Sequence, residues 1–421
     1  MKNGRWSRRK FLAMAGAAVA APLIVPRTAF GANDKINAAV IGNGNRGADV
    51  LSGFLNHKDV RVVALCDVDK QRRESTAAKV QEKYADGGKC DVYNDFRELL
   101  ERRDIDVIGI ATPDHWHATM AIAAMSSGKD VYCEKPLTLV IDEGRAIAAC
   151  SERYGRILQT GSQRRSNPAF RRFCELVANG RIGQVKTVEI GLGCRPLEAH
   201  PWQPEPVPEG FDYDRWLGPA PWEPYTKDRC HYNFRFVRAY SGGEMTNIGA
   251  HFLDLAQWAF GAHPVQVEAQ GEFFDTGLWN TFSRFRVEYK YANGATVIVT
   301  HGPVGIKFTG TEGWLEAPAW TNTPDKGEPA SVLKSFIGPS DIHLHQAHGD
   351  HMEDFIWAVQ TRGRNSAPAE VGHRTVTCCH LGTIALTLGR KLRWDFAREE
   401  FIGDEQANAM KTKVYRAPWR I

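Results

Sequence analysis

Short apolar runs alternate with amphipathic stretches over the first third of the chain. Residues 36–41, 60–65, 105–111, 131–133 and 156–160 are the apolar runs. Their brevity and lack of polar alternation predict strands buried on both faces. Helical spacing fills the gaps over residues 46–54, 70–84, 115–127 and 141–154, with Gly128 and Gly155 as C-terminal stops. Asp95 is placed to cap a further helix carrying Phe96, Leu99 and Leu100. Repeated strand–helix units of this length predict an open parallel sheet with right-handed crossovers.

Beyond Gly161 the rhythm changes. Pro168 opens a helix, and residues 185–192 read as a strand. Residues 194–224 hold eight prolines and several aromatics, which predicts an ordered loop over a site rather than a linker. Residues 246–260 read as a helix. In the next strand Phe285, Val287, Tyr289 and Tyr291 face one side, and Arg284, Arg286, Glu288 and Lys290 face the other. That alternation is the mark of a half-buried antiparallel strand, turned at Asn293-Gly294 into residues 296–300. Two helices, 348–361 and 373–392, follow. The second domain is therefore expected to be α+β, with an open, mainly antiparallel sheet and helices on one face.

Composition bounds the function. A chain of 421 residues suits two domains, and 43% hydrophobic with 24% charged residues excludes wholesale disorder. No two of the nine cysteines form a C-x-x-C pair, which excludes a zinc ribbon or a thioredoxin motif. The net charge is +4, but residues 1–31 carry six basic residues and no acid. Removing those six leaves −2, far from the basic balance of a nucleic-acid binder, so no nucleic-acid partner is expected.

Those first residues read as an export signal. Ser7-Arg8-Arg9-Lys10-Phe11-Leu12 resembles the twin-arginine signature, and an apolar run from Phe11 to Val25 follows. Ala29-Phe30-Gly31 places small residues where a signal peptidase cuts. The run is shorter than the ~20 residues of a membrane-spanning helix, so no stable membrane insertion is expected. The expected organisation is a signal peptide over 1–31, domains over 32–161 and 162–395, and an extension over 396–421. The expected address is the periplasm or the exterior, with the twin-arginine translocase as a transient partner. That route carries folded proteins, so a cofactor would be loaded before export.

Gly42-Asn43-Gly44-Asn45-Arg46-Gly47 fits G-x-G-x-x-G between a predicted strand and helix. The glycines admit a pyrophosphate to the backbone, and the helix N-terminus offers amide donors. Asp67 ends the next strand, 20 residues after Gly47, where a carboxylate holds ribose hydroxyls. The first domain is thus predicted to be a doubly wound Rossmann domain that binds NAD. Lys70, Arg72 and Arg73 stand close enough in sequence to leave NADP open.

Glu134-Lys135-Pro136 follows the strand at 131–133, at the sheet edge where ligands bind. Together with Thr112-Pro113-Asp114-His115-Trp116-His117, this segment resembles the glucose–fructose oxidoreductase/inositol dehydrogenase (Gfo/Idh/MocA) family over nearly all of residues 35–395. The resemblance implies a nicotinamide-dependent oxidoreductase acting on the CH–OH groups of sugars and polyols. It places Lys135 between nicotinamide and substrate, with Glu134 orienting it and Pro136 shaping the turn. It assigns Thr112, Pro113, His117 and Gln163 to the cofactor side, and Arg165 and Arg235 to the substrate side. Gly242 through Asp254 resembles the family's second signature, D-x-G-x-H, with Asn247 in place of the usual Asp and His251 as the matching histidine. At i, i+4 these two share a helical face. His251 would accept the hydroxyl proton, Lys135 would polarise the oxygen, and Asn247 would position the substrate.

His343, His345, His348, Asp350 and His351 invite a metal, but their spacing fits no ligand motif and none is expected. Trp202, Trp216 and Tyr232–Phe236 could offer flat faces to a sugar ring. Family sheets of this kind pair, so a homo-oligomer is expected. Two alternatives to a net oxidoreductase stand: a redox-neutral glycosidase, lyase or epimerase using transient oxidation, and a non-catalytic binder of NAD or sugar.

Overall fold

Residues 36–41 are buried in five of their six positions and form the central strand β1 (Ile36–Ile41). The chain continues through α1 (Asn45–Asn56), β2 (Val60–Cys66), α2 (Lys70–Lys83), β3 (Asp91–Tyr93), α3 (Phe96–Leu100) and β4 (Val107–Ile110). It then forms α4 (Asp114–Ser126), β5 (Asp130–Cys133), α5 (Ile141–Tyr154) and β6 (Leu158–Thr160). All pairings in this six-stranded sheet are parallel, in the order β3-β2-β1-β4-β5-β6. The winding reverses between β1 and β4, and that point opens the crevice where such sheets bind ligands. This computed structural model describes residues 35–84, 89–193, 202–274, 277–318, 324 and 326–421. The export signal expected over residues 1–31 lies outside the described residues.

The second sheet follows α6 (Pro168–Ala178). Its members are β7 (Val185–Gly191), then, after α7 (Tyr213–Leu217), α8 (Glu244–Asn247) and α9 (Gly249–Phe260), strands β8 (Pro264–Phe273), β9 (Phe282–Tyr291), β10 (Thr296–Thr300), β11 (Gly305–Gly310), β12 (Trp314–Pro318) and β13 (Lys326–Glu328). Helices α10 (His351–Thr361) and α11 (Ala369–Leu388) precede β14 (Leu392–Asp395), β15 (Glu400–Phe401) and α12 (Glu405–Ala409). The order is β13-β12-β11-β7-β10-β9-β8-β14-β15. The sheet is mixed, because β10 pairs parallel with β7 while the other ladders are antiparallel. Phe285, Val287, Tyr289 and Tyr291 point into one core with Phe252, Leu255 and Leu381 from α9 and α11.

Four details depart from the sequence pattern. The helix expected over 246–260 is broken at Ile248, where the His251 N–H reaches back only three residues to the Ile248 carbonyl at 3.0 Å. Helix α11 stops at Gly389, in the left-handed region at φ +61°, and Leu392 enters a strand instead. Helix α10 also leaves the second sheet: Met352, Phe355 and Ile356 join Val50, Leu51 and Phe54 in the core of the first. The C-terminal segment crosses back as well, and Trp419 wedges edge-on against Trp116 at 4.7 Å and stacks over Phe96.

Candidate active site and dinucleotide cleft

One cleft runs from the glycine turn past Asp67 to Lys135 and Arg235. At its floor Gly42 sits at φ +88°, and a Cβ there would meet the Ala111 carbonyl oxygen at 2.7 Å. A Cβ on Gly47 would lie 1.9 Å from the Gly42 carbonyl oxygen, so helix α1 can start this close to the strand only from glycine. Gly44, Asn45 and Arg46 line the cleft beside the α1 N-terminus, and Thr112 and Pro113 line it from the end of β4. Asn43 Oδ1 and Thr112 Oγ1 are buried without a hydrogen-bond partner among the described residues. A backbone cradle that no Cβ would fit, with orphaned polar atoms along it, matches what a dinucleotide requires.

Asp67 closes the far end. Its carboxylate accepts the N–H groups of Asn43 at 2.6 Å and Asp69 at 2.9 Å. Three cations stand near Asp67, and Arg72 lines the cleft itself. Arg73 donates to the Asp67 carbonyl and to Asn94, Arg72 donates to His231 at 2.7 Å, and Lys70 lies beside Glu74.

A roof comes from the proline-rich insertion. The Lys70 N–H donates to the Gly210 carbonyl at 2.9 Å, and the Asp212 N–H to the Val68 carbonyl at 3.0 Å. Phe211, Trp216, His231 and Phe234 therefore cover the cleft, with Trp419 beside them. Trp216 is buried, and its carbonyl accepts from the Trp116 indole at 3.0 Å and faces the His115 Nε2 at 3.1 Å. It is a wall of the cleft rather than an open platform.

At the other end, Glu134 gathers Arg46 and Gln163 at 2.9 Å each and the Tyr132 hydroxyl at 3.3 Å. Its other oxygen accepts the Lys135 N–H at 3.3 Å, so it orients the lysine through the backbone. Gln163 thus reaches Glu134 and Tyr132, which corrects its assignment to the cofactor. His117 needs a similar correction. It is buried, with Nδ1 2.7 Å from the Pro136 carbonyl and Nε2 2.9 Å from the Thr112 carbonyl. Both partners are acceptors, an arrangement that favours a doubly protonated ring. Burial opposes that charge, but Cys133, Asp114 and the Pro136 carbonyl outweigh it and push the pKa up to about 10. His117 ties the β4 loop to the lysine loop and does not line the cleft.

The lysine Nζ donates to the Asn247 carbonyl at 2.9 Å and to Asn247 Oδ1 at 3.1 Å. Asn247 Nδ2 in turn donates to Glu244 at 3.1 Å. Asn247 thus reaches Lys135 from the last position of α8. Burial lowers the Lys135 pKa, and burial with Lys135, Arg164 and Arg46 nearby holds His251 well below the usual histidine range. The lowered pKa favours the uncharged imidazole and makes it a weaker base than a free histidine.

The paired arginines after β6 part company. Arg165 is buried, with its Nε 2.8 and 2.9 Å from the two oxygens of Asp254, and it stacks over Trp258. This corrects its assignment to the substrate. Arg164, which the sequence grouped with Gln163 and Arg165 on the nicotinamide and substrate side, lies 4.2 Å above the Phe252 ring. Arg235 lines the cleft, stacked on Tyr232 and Phe234. The histidine cluster disperses: His348 stacks on Trp357, His351 bonds Ser166, and no metal-sized group of His, Cys, Asp or Glu forms among the described residues. Asp114, also unforeseen, accepts the Ser241 hydroxyl at 2.5 Å in the cleft wall.

Comparison with known proteins agrees with this layout. Residues 36–162 match the family model described as "Oxidoreductase family, NAD-binding Rossmann fold", and residues 197–421 match "Oxidoreductase family, C-terminal alpha/beta domain". The chain is 28% identical to a glycosyl hydrolase family 109 protein of Stenotrophomonas maltophilia over 73% of its own length and 74% of the relative's. It is 24% identical to the D-glucoside 3-dehydrogenase of Escherichia coli over 80% and 92%. An uncharacterized oxidoreductase of Bacillus subtilis is 27% identical, with 56% of this chain spanning only 57% of that protein. Among solved structures, the WlbA dehydrogenase of Chromobacterium violaceum superposes at a TM-score of 0.66 and 15% identity, over 89% of this chain and 99% of that one.

Proposed function

Because the chain belongs to the Gfo/Idh/MocA family of oxidoreductases, we propose that it oxidises a secondary alcohol of a sugar, polyol or glycoside with a resident NAD. The observation that carries this reading is the Lys135 ammonium, held by Asn247 in the same cleft as the glycine cradle. Glycine-turn amides and Asp67 would hold the dinucleotide, and its nicotinamide supplies the hydride acceptor when bound. Lys135 donates to the reacting oxygen and stabilises developing alkoxide charge. His251, as the uncharged imidazole, takes the hydroxyl proton. Asn247 holds Lys135 and offers its amide toward the substrate. The carboxylate of Asp67 disfavours a 2′-phosphate, which supports NAD over NADP.

The roof over the cleft supports a cofactor that stays through many turnovers. That suits the twin-arginine segment at Ser7–Leu12, which we read as export to the periplasm, where no nucleotide pool is maintained. A second reading is favoured by the likeness to a glycosyl hydrolase family 109 protein: the hydride returns to the same sugar, and the net reaction is redox-neutral.

The test is native mass spectrometry of protein purified and dialysed without added nucleotide, followed by absorbance at 340 nm on adding glycosides. One bound NAD per chain is expected. A lasting 340 nm rise marks the oxidoreductase, and a rise that decays as aglycone appears marks the redox-neutral enzyme. A stripped protein that works only with free NAD, and accumulates free NADH, would overturn the resident cofactor.

A further inference from the structure

Residues 411–419 return from the second sheet to the first domain, and no helix or strand forms over them. Bonds on two sides fix their course. The Asp142 N–H donates to the Lys411 carbonyl at 3.0 Å. Lys413 and the Tyr415 hydroxyl both reach the buried Glu143 of α5, at 3.0 and 2.8 Å. Arg416 then turns to the roof. Its N–H donates to the Pro219 carbonyl at 3.0 Å, and its guanidinium donates to the carbonyls of Gly218 at 2.8 Å and Asp214 at 2.7 Å. The segment is a strap between α5 and the roof.

The strap delivers Trp419 into the wall of the cleft. The indole is half-buried, packs on Phe96 and Trp116, and has the Arg97 guanidinium over it at 5.0 Å. Sheet order says which end of the cleft this is. Phe96 opens α3 just after β3, and β3 pairs with β2, after which comes Asp67, whose N–H donates to the Tyr93 carbonyl at 3.2 Å. Lys135 follows β5, three places along the sheet from β2. Trp419 therefore stands at the end opposite the lysine. Phe96, Trp116, Met120 and Trp419 line that end, and the Trp116 N–H is already bonded to the Trp216 carbonyl. An apolar, mostly aromatic lining suits a flat uncharged ring rather than a phosphate.

Resting on the reading that this cleft holds NAD, we propose that Trp419 contacts the adenine of the dinucleotide and that the strap sets how long the cofactor stays. The ribose held by Asp67 carries the adenine, so the base belongs beside it, away from the lysine. An aromatic wall there excludes water and gains contact with the base. The strap joins that wall to the roof, so the base is released only when both give way. The phosphates keep their backbone cradle throughout.

The test uses the full chain as purified. Bound NAD is chased with excess deuterated NAD, and its replacement is followed by native mass spectrometry. Displacement of NADH, read by its fluorescence, gives the affinities of ADP-ribose and nicotinamide mononucleotide. Trp419→Ala leaves the glycine cradle intact and still takes up NAD, but release should quicken about tenfold or more, the scale of one aromatic side chain against a base. ADP-ribose, which keeps the adenine, should weaken by a similar factor. Nicotinamide mononucleotide, which lacks it, should bind parent and variant alike. Trp419→Phe should restore most of the retention. Arg416→Gln keeps the indole but unties the strap from the roof, and it too should quicken release. Unchanged release in Trp419→Ala, or an equal loss for nicotinamide mononucleotide, overturns the adenine contact. Unchanged release in Arg416→Gln overturns the strap. A parent chain that binds neither NAD nor ADP-ribose defeats the NAD reading and this inference with it, whereas the other failures leave that reading standing.

Discussion

The two ends of the cleft are built from different material. The dinucleotide end is backbone: glycines at Gly42 and Gly47, the first amides of α1, and a roof pinned by main-chain bonds from Lys70 to Gly210 and Asp212 to Val68. The sugar end is side chain: Lys135 and Arg235 line it, and Asn247 holds Lys135 from the end of α8. A backbone site tolerates change in the side chains around it, because its donors do not depend on them. A side-chain site depends on each neighbour that holds each group. The two ends should therefore respond differently to single substitutions.

The largest effect is expected at the support of the sugar end. Asp254 is fully buried and neutralises Arg165 while accepting the Thr375 hydroxyl at 2.7 Å. Asp254→Ala strands that guanidinium in the core, at a cost of about 3–5 kcal/mol, the range for breaking a buried pair from one side. Denaturant unfolding monitored by fluorescence should show the loss. Arg165→Met with Asp254→Leu should recover much of it, because an apolar pair of similar volume avoids the buried charge. A double variant as unstable as the single would mean the pair does more than balance charge.

Next comes Lys135→Met, which should separate the two ends. The stem is kept and only the ammonium is lost. A barrier rise of about 3 kcal/mol, more than a hundredfold in rate, is expected for a lost charge-stabilising donor. The nucleotide found by native mass spectrometry should remain, because its cradle is backbone. Turnover near that of the parent would remove the lysine from the mechanism. Loss of nucleotide along with turnover would show that the ends are not independent.

The same division explains what could be read in advance. Strand β1 and helix α5 appear at their expected residues, because a buried apolar run and a capped amphipathic stretch are local signals. The glycine motif is legible for the same reason: the chain needs φ +88° at one residue and a close approach at another. Strand β3, three residues long, is too short to announce itself. The break at Ile248 lies within an apolar helical pattern with no proline to mark it. Arg164 and Arg165 are the same residue type in the same turn, and only Asp254, 89 positions away, decides which is buried. The prolines of the insertion announce an ordered loop, but its bonds to Val68 and Lys70 link segments some 140 residues apart and leave no local trace.

The smallest effect, and the finest probe of the sugar end, is Asn247→Asp. The side chain meets Lys135 at 3.1 Å, so the new carboxylate acts on the ammonium first and on His251 less directly. Other charges facing this point are Glu244, bonded to the Asn247 amide, and Arg164 and Arg46, which already bear on His251. An opposite charge favours the protonated form of both bases, so both pKa values rise. Lys135 works protonated, and raising its depressed pKa carries the alkaline limb of kcat upward by about one pH unit. His251 works deprotonated, so the acid limb of kcat moves upward too, by less. The profile shifts to higher pH and broadens slightly. A kcat profile from pH 5 to 10 checks both limbs. An alkaline limb that stays in place would mean that the bond from Lys135 to Asn247 is not kept during turnover.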